Sequence, residues 1–377
     1  MNFLENPREA LTEAGCVVIK VGSKVLAGSK HNGWLDAFAA QIAALRAQGR
    51  EVVVVTSGAI AWGYPRLGLT ERPTEMALLQ ASAAAGQSHL MQAYEQSFAK
   101  HGLAAAQVLL TRTGIIPRDR YLNASAALNA LLDHGLVPIV NENDTVSIDE
   151  ITFGDNDHLA AMVSWLVGAD LLILLTSVDG LLDAEQKRVS LVPEMATVSD
   201  LVKEEKSTDG TGGMDSKLKA AASAAKHGVP VVIANGNDGS ILQYILDGQD
   251  VGTLVLPQGS RLASRKHWIA YTLHPEGSVV VDHGAAKALV QGKKSLLPAG
   301  VVQVQGDFAA GDSVRIIDEH GEEIARGLSR YSAEDAKKLI GVQSHEIAEC
   351  LGRNDGHEIV HRDDMVVIYD ASHYDKK

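Results

Sequence analysis

Leu171-Leu172-Ile173-Leu174-Leu175-Thr176-Ser177-Val178-Asp179-Gly180 decides how the first part of the chain folds. Five apolar residues in succession run into Thr-Ser and then Asp-Gly. A short apolar run bounded by turn residues suits a strand buried on both faces, as in a parallel sheet covered by helices on either side. Four other stretches repeat the pattern. Cys16-Val17-Val18-Ile19 runs into Lys20-Val21-Gly22-Ser23, and Val52 to Val55 runs into Thr56-Ser57-Gly58-Ala59. Leu136 to Val140 runs into Asn141-Glu142-Asn143-Asp144, and Val229 to Ile233 into Ala234-Asn235-Gly236. Between them lie Ala-rich segments with helical spacing: 35–48, 76–100, 124–134, 158–168 and 217–227. Strand, polar tip and helix alternate, which predicts a doubly wound, mostly parallel α/β sheet.

In such sheets ligands bind beyond the carboxyl ends of the strands. The tips would therefore line one edge, bringing Lys20, Gly22, Ser57, Gly58, Asn141, Asp144, Thr176 and Ser177 together. Any single tip equally suits an ordinary surface turn; the shared polar character of five makes the common edge the stronger reading.

The 377 residues suggest two or three domains, and an apolar content of 46% supplies a full core. Residues 1–15 read as a frayed lead-in without the apolar segment of a signal peptide. No run approaches the roughly 18 apolar residues of a membrane span. The two cysteines, Cys16 and Cys350, lie far apart, which fits a reducing cytoplasm, and no Cys–His group has zinc spacing. The net charge of −13 argues against a polyanionic partner, although a few focused lysines can still bind a small anion.

Residues 203–215 are polar and Gly-rich and lead into a helix at Ser216-Lys217-Leu218. A loop that delivers a helix N-terminus can form an anion site, and it can equally be a plain surface loop. The α/β pattern stops at Leu256-Pro257-Gln258-Gly259, and a connector follows over 260–276. From Gly277 the chain turns to short β-rich runs at 278–282, 301–304, 314–317 and 366–368. A hairpin turn at 318–322 and a short helix at 333–340 complete a small β-barrel-like domain.

Lys20-Val21-Gly22-Ser23, Thr56-Ser57-Gly58-Ala59-Ile60, Asn141-Glu142-Asn143-Asp144, Gly154-Asp155-Asn156-Asp157 and Gly210-Thr211-Gly212-Gly213-Met214 occur in that order. Together they resemble the glutamate-phosphorylating branch of the amino acid kinase family. Ser295 to Gly300 and Gly327-Leu328-Ser329-Arg330-Tyr331 resemble the PUA domain that many members append. The resemblance implies a kinase domain over 1–260 and a PUA domain over 277–370. It departs at Ser177, where many members carry Asp, and at Ser23, where many carry Thr.

The implied reaction is phosphoryl transfer from ATP to the γ-carboxylate of L-glutamate, the first step of proline biosynthesis, with Mg²⁺ accompanying the nucleotide. A carboxylic acid with a pKa of about 4.3 is already ionised at neutral pH, so no general base is needed. The difficulty is bringing an anion to a polyanion, which calls for positioning and positive charge. Neither Gly-x4-Gly-Lys-Ser/Thr nor Gly-x-Gly-x-x-Gly is present. Lys20 and Lys217 stand instead at a strand end and a helix start, where they can also be plain solvated charges.

By resemblance these two lysines stabilise the β- and γ-phosphates, and Asp157 holds them in place. Ser57 with the Gly58 backbone can donate to a carboxylate, Asp144 can pair with an ammonium, and Asn156 can donate and accept. The resemblance assigns these residues, with Asp155, to the amino acid. Asp155 and Asp157 also suit a helix cap before His158. Gly22, Ser23, Thr176, Ser177, Thr211, Gly212, Gly213, Met214, Asp215, Ser216 and Lys217 would contact ATP, without a protein ligand for the metal. The family further implies a homo-oligomer, proline as feedback inhibitor, and hand-off to glutamate-5-semialdehyde dehydrogenase.

Two other readings compete. One is a family member acting on aspartate, N-acetylglutamate, carbamate or UMP. The other is an RNA-binding PUA protein, against which the last 101 residues carry 12 Lys+Arg and 17 Asp+Glu.

Overall fold

A computed structural model of the chain describes residues 3, 6–29, 33–111, 113–115, 118–146, 155–194, 213–258, 275–292, 294–353 and 356–368. The chain divides into two units, Met1–Gly259 and Ser260–Lys377.

In the first unit, strands and helices alternate as β1 (Cys16–Val21), α1 (Ser23–Ser29), α2 (Trp34–Ala47), β2 (Glu51–Val55), α3 (Ala59–Gly63), α4 (Met76–Ala99), β3 (Ala105–Leu110), α5 (Arg118–Asp133), β4 (Val137–Glu142), α6 (Asp155–Leu166) and β5 (Leu171–Thr176). Short β6 (Leu191–Val192), the helix Met214–Lys226, β7 (Val231–Asn235), the helix Ile241–Leu246 and β8 (Thr253–Val255) follow. The eight strands lie in the order β3-β4-β2-β1-β5-β7-β8-β6. All neighbours are parallel except β7 and β8. The carboxyl ends of β4, β2, β1, β5 and β7 therefore share one edge, as the tips required.

Alternation along each strand sorts its side chains into two cores. Val17, Ile19, Val52, Val54, Leu171 and Ile173 pack on the side of α2 and α4. Cys16, Val18, Val53, Val55, Leu172 and Leu174 pack on the side of α5, α6 and the helix Met214–Lys226.

Several elements differ from the expectation. β3 was not foreseen, because its apolar run, Val108-Leu109-Leu110, is short and follows Ala105-Ala106-Gln107, and the strand lies at the sheet edge, partly exposed along its length. Helix α5 begins at Arg118, six residues before the Ala-rich stretch that announced it. The lead-in is not frayed where described. A 3-10 helix spans Glu9–Glu13 and buries Ala10 and Leu11. The Arg8 guanidinium reaches the carbonyls of Val251, Ser190 and Gly252 and the carboxylate of Asp250. That side chain ties the N-terminal segment to β6 and β8, the far end of the sheet.

The second unit is a five-stranded sheet in the order β10-β9-β11-β12-β13: β9 (Gly277–Val281), β10 (Val301–Gly306), β11 (Ser313–Ile317), β12 (Glu323–Leu328) and β13 (Met365–Val367). Only β9 and β11 are parallel. The hairpin at 318–322 forms between β11 and β12. Asp318 Oδ1 closes it by accepting from the backbone N–H groups of His320 and Glu322 at 3.0 and 2.9 Å. Strand β12 completes the hairpin expected at 318–322, whereas the helices His283–Val290 and Ile347–Leu351 were not anticipated. The connector residues 260–274 lie outside the described residues.

Candidate active site

Lys20 shares strand parity with Cys16 and Val18, so its side chain enters the layer beneath α6 and the helix Met214–Lys226. Each of those helices delivers a partner from its first turn. Lys20 Nζ lies 2.5 Å from Asp157 Oδ1, and Lys217 Nζ lies 3.2 Å from Asp157 Oδ2. Ser216 Oγ donates to the same Oδ2 at 2.9 Å. The relative exposures are 0% for Asp157, 4% for Lys20 and 8% for Lys217. At these burials an unpaired charge would be untenable, so the three must be read as one unit.

Burial alone would raise the Asp157 carboxyl; Lys20 and Lys217 overcome it and hold the group below the ordinary aspartate value. For Lys20, burial is the largest influence and lowers the ammonium's pKa. Asp157 opposes that, and the like charge of Lys217 adds to the lowering. Two ammoniums against one carboxylate leave a net charge of +1 in a desolvated spot. That arrangement favours an anion, and it does not suit a bare metal cation. Among the described residues, no group of three His, Cys, Asp or Glu side chains could hold a metal.

One residue earlier on α6, Asn156 belongs to a neutral network. Its Nδ2 lies 2.9 Å from the Thr56 carbonyl, 3.0 Å from Ser57 Oγ and 3.1 Å from Asn141 Oδ1. Asn141 Oδ1 also accepts from the Glu142 N–H, and Asn141 Nδ2 donates to Gln87 Oε1 at 2.8 Å. The Thr56 carbonyl and the Glu142 N–H are backbone groups with fixed polarity, so neither Asn amide can be turned over without setting like against like. Two buried atoms at the ends of this chain, Asn156 Oδ1 and Gln87 Nε2, have no partner among the described residues.

Beside Gln87 lies a cavity of about 250 Å³, bordered by Ala59 and Ala83, by Gln107 of the edge strand and by Glu142 and Asp144 at the end of β4. Burial lowers the Arg72 guanidinium, and the nearby Asp144 works against that lowering. α3 and α4 meet here at backbone contact. A Cβ added at Gly86 would come within 1.8 Å of the Ala59 carbonyl, and one at Gly63 within 1.7 Å of the Ser82 carbonyl. Gly58 precedes α3 with φ of +94°, a left-handed turn that glycine adopts without strain.

The structure thus brings together Lys20, Asp157, Lys217 and Ser216 as one group, and Ser57 and Asn156 as another. Asp144 lies at the cavity. Gly22 links β1 to Ser23, the first residue of α1, and Thr176 ends β5, with Ser177 following it, on the same edge of the sheet. Gly213 and Met214 open the helix that carries Lys217. Asp215 turns outward, pairing with Lys219 at 2.7 Å with both side chains largely exposed. Asp157 does not act as a helix cap: it lies inside the first turn and faces the lysines. Asp155 begins α6. Thr211 and Gly212 lie outside the described residues.

Asn141 was expected at this edge but given no role, and Gln87 was not singled out. A signal for Gln87 does exist. Leu79, Ala83, Gly86, Leu90 and Tyr94 mark a buried stripe of α4, and Gln87 stands on it as a polar residue where core is due.

A model of the amino acid kinase family matches residues 15–235. The chain belongs to that family. A PUA domain model matches residues 277–351. Among family relatives, the glutamate 5-kinase of Pelobacter propionicus is 45% identical over 371 residues, 96% of this chain and 100% of that protein. The glutamate 5-kinase of Myxococcus xanthus is 45% identical over 98% of this chain and 100% of its own length. An N-acetylglutamate synthase from Neisseria gonorrhoeae, solved with coenzyme A and L-arginine, shares the fold. It has a TM-score of 0.52 and 19% identity, over 78% of this chain and 71% of that one.

Proposed function

We propose that this chain transfers the γ-phosphoryl group of ATP to the γ-carboxylate of L-glutamate, forming L-glutamyl 5-phosphate for proline biosynthesis. The observation that carries the reading is the buried Lys20–Asp157–Lys217 unit with its net charge of +1, at the strand edge where the family's substrates would meet. The end-to-end match to glutamate 5-kinases supports the choice of acceptor.

A γ-carboxylate oxygen attacks the terminal phosphorus, the bond to the β–γ bridging oxygen breaks, and ADP leaves with that electron pair. The nucleophile is already ionised, so the protein needs no base. Lys20 and Lys217 stabilise charge that grows on the transferring group and the leaving oxygen. Asp157 keeps both ammoniums aimed and prevents their mutual repulsion from parting them. Asp144 pairs with the substrate ammonium, Ser57 and the Gly58 N–H meet a carboxylate, and Asn156, with Asp155 beside it, completes the amino acid site. Gly22, Ser23, Thr176, Ser177 and residues 211–217 serve the nucleotide.

A kinase that uses ATP works with a divalent cation, which we take to be Mg²⁺; held by the phosphates and water, it would neutralise phosphate charge. We assign the chemistry to residues 1–260 and none to the PUA unit at 277–370. Proline as feedback inhibitor, a homo-oligomer, hand-off to a glutamate-5-semialdehyde dehydrogenase and a cytoplasmic location belong to the same reading. Among the described residues, no helix is long and apolar enough to cross a membrane.

The test is hydroxylamine trapping of the acyl phosphate with Mg-ATP. L-Glutamate should give the hydroxamate and aspartate or N-acetylglutamate little. Equal rates with aspartate would remove the assignment.

A further inference from the structure

The amide network leaves Asn156 with one thing to offer. Its two Nδ2 hydrogens face three protein acceptors, the Thr56 carbonyl, Ser57 Oγ and Asn141 Oδ1. Only Oδ1 remains unpartnered among the described residues. An amide restricted to its oxygen can meet an ammonium and cannot serve a carboxylate.

The Thr56 carbonyl sets that restriction, and Asn141 supports it; Asn141 is 1% exposed and its own Nδ2 needs a buried acceptor. Gln87 Oε1 supplies it at 2.8 Å, from a residue 54 positions earlier, on helix α4. Without that acceptor, Asn141 Nδ2 would be a buried donor with nothing to bond, and its side chain would be driven to move. Turning the Asn141 amide over would set its NH₂ against both the Glu142 N–H and Asn156 Nδ2.

We propose that Gln87 is a positioning residue of the glutamate site: it anchors Asn141, which together with the Thr56 carbonyl holds Asn156 in place as an acceptor that reads the substrate's ammonium. This rests on the reading that Asn156 contacts glutamate. Gln87 itself acts at one remove, through the hydrogen-bond chain.

The experiment uses the full chain and the hydroxamate assay, with glutarate, which lacks the ammonium, as a competitor against glutamate. Gln87→Leu should raise the glutamate KM about tenfold, the weight of one hydrogen bond, and leave kcat and the ATP KM unchanged. The glutarate inhibition constant should not change. In an Asn156→Ala background the same substitution should add nothing to the glutamate KM, because the two act in series. If Gln87→Leu does not fold, Gln87→Met carries the same expectations. Equal weakening of glutamate and glutarate, or additive effects with Asn156→Ala, would overturn the proposal. Asp144→Ala separates the two levels. If it raises the glutamate KM while the Gln87 variants do not, only the positioning role is wrong. If neither Asp144→Ala nor Asn156→Ala touches that KM, the glutamate reading itself fails.

Discussion

Asn156 and Asp157 are neighbours in one helical turn, yet they serve two different kinds of site. Asp157 joins buried charges, whose attraction reaches several ångströms in a desolvated setting and tolerates some misplacement. Asn156 joins neutral amides, each of which works only within hydrogen-bond distance and in one orientation. The charged half suits a transferring phosphoryl group, where charge develops. The amide half suits an amino acid, where shape and polarity must be read. One helix start carries both, so a movement of α6 would disturb the two groups together.

The comparison breaks most sharply at the lysines. Lys217→Ala and Lys20→Ala should each lower kcat about 10²–10³-fold, as removal of a preorganised charge donor does. A raised ATP KM with normal kcat would show that the charged half binds the ground state and nothing more. Next comes the frame of the amide half. Gly86→Ala would push a methyl to 1.8 Å from the Ala59 carbonyl and force α3 away from α4. Overpacking of this kind costs about 1–3 kcal/mol, so the melting temperature should fall and the glutamate KM rise. An unchanged melting temperature would mean that the helix pair yields easily.

A smaller effect should follow from Asp144→Ala, which removes the proposed ammonium partner. It should raise the glutamate KM about tenfold, the loss of one good contact, and leave ATP saturation alone. An ATP-specific defect would move Asp144 to the other half. The mildest test is acid. The folded-state pKa of Asp157 lies below its ordinary value of 3.8, so between the two the folded state binds fewer protons. Its contribution to stability is complete above 3.8 and is lost as pH falls through the folded value. Asp157→Asn should flatten that part of the stability–pH curve. The same acid dependence in the variant would assign it to other carboxylates.

The two halves were not equally legible. Lys20, Asp157 and Lys217 stood out because charged residues beside Gly-rich turns at strand and helix ends are conspicuous, and because their motifs come in a familiar order. Gln87 was not conspicuous. It lies in a 24-residue Ala-rich helix whose buried stripe is otherwise mostly apolar, and its partner is remote in sequence. The N-terminal lead-in misled for a similar reason: Arg8 looks like a surface charge until β6 and β8 come to meet it. Edge strand β3 hid because a strand half exposed to solvent needs only a short apolar run, here Val108-Leu109-Leu110.

What the sequence by itself determined was local and periodic. Apolar runs with polar tips defined the parallel strands, and Ala-rich spacing defined the helices. Strand parity sent Lys20 to the opposite face from Ile19. Only the tertiary structure decided which helices cover that face. The strand order β3-β4-β2-β1-β5-β7-β8-β6 crosses the chain back on itself, so Asp157 and Lys217 reach Lys20 from more than a hundred residues away. The amide chain needed the same crossing plus the close approach of two glycine-bearing helices. Such contacts are set by the packing of whole layers, which no local pattern of residues encodes.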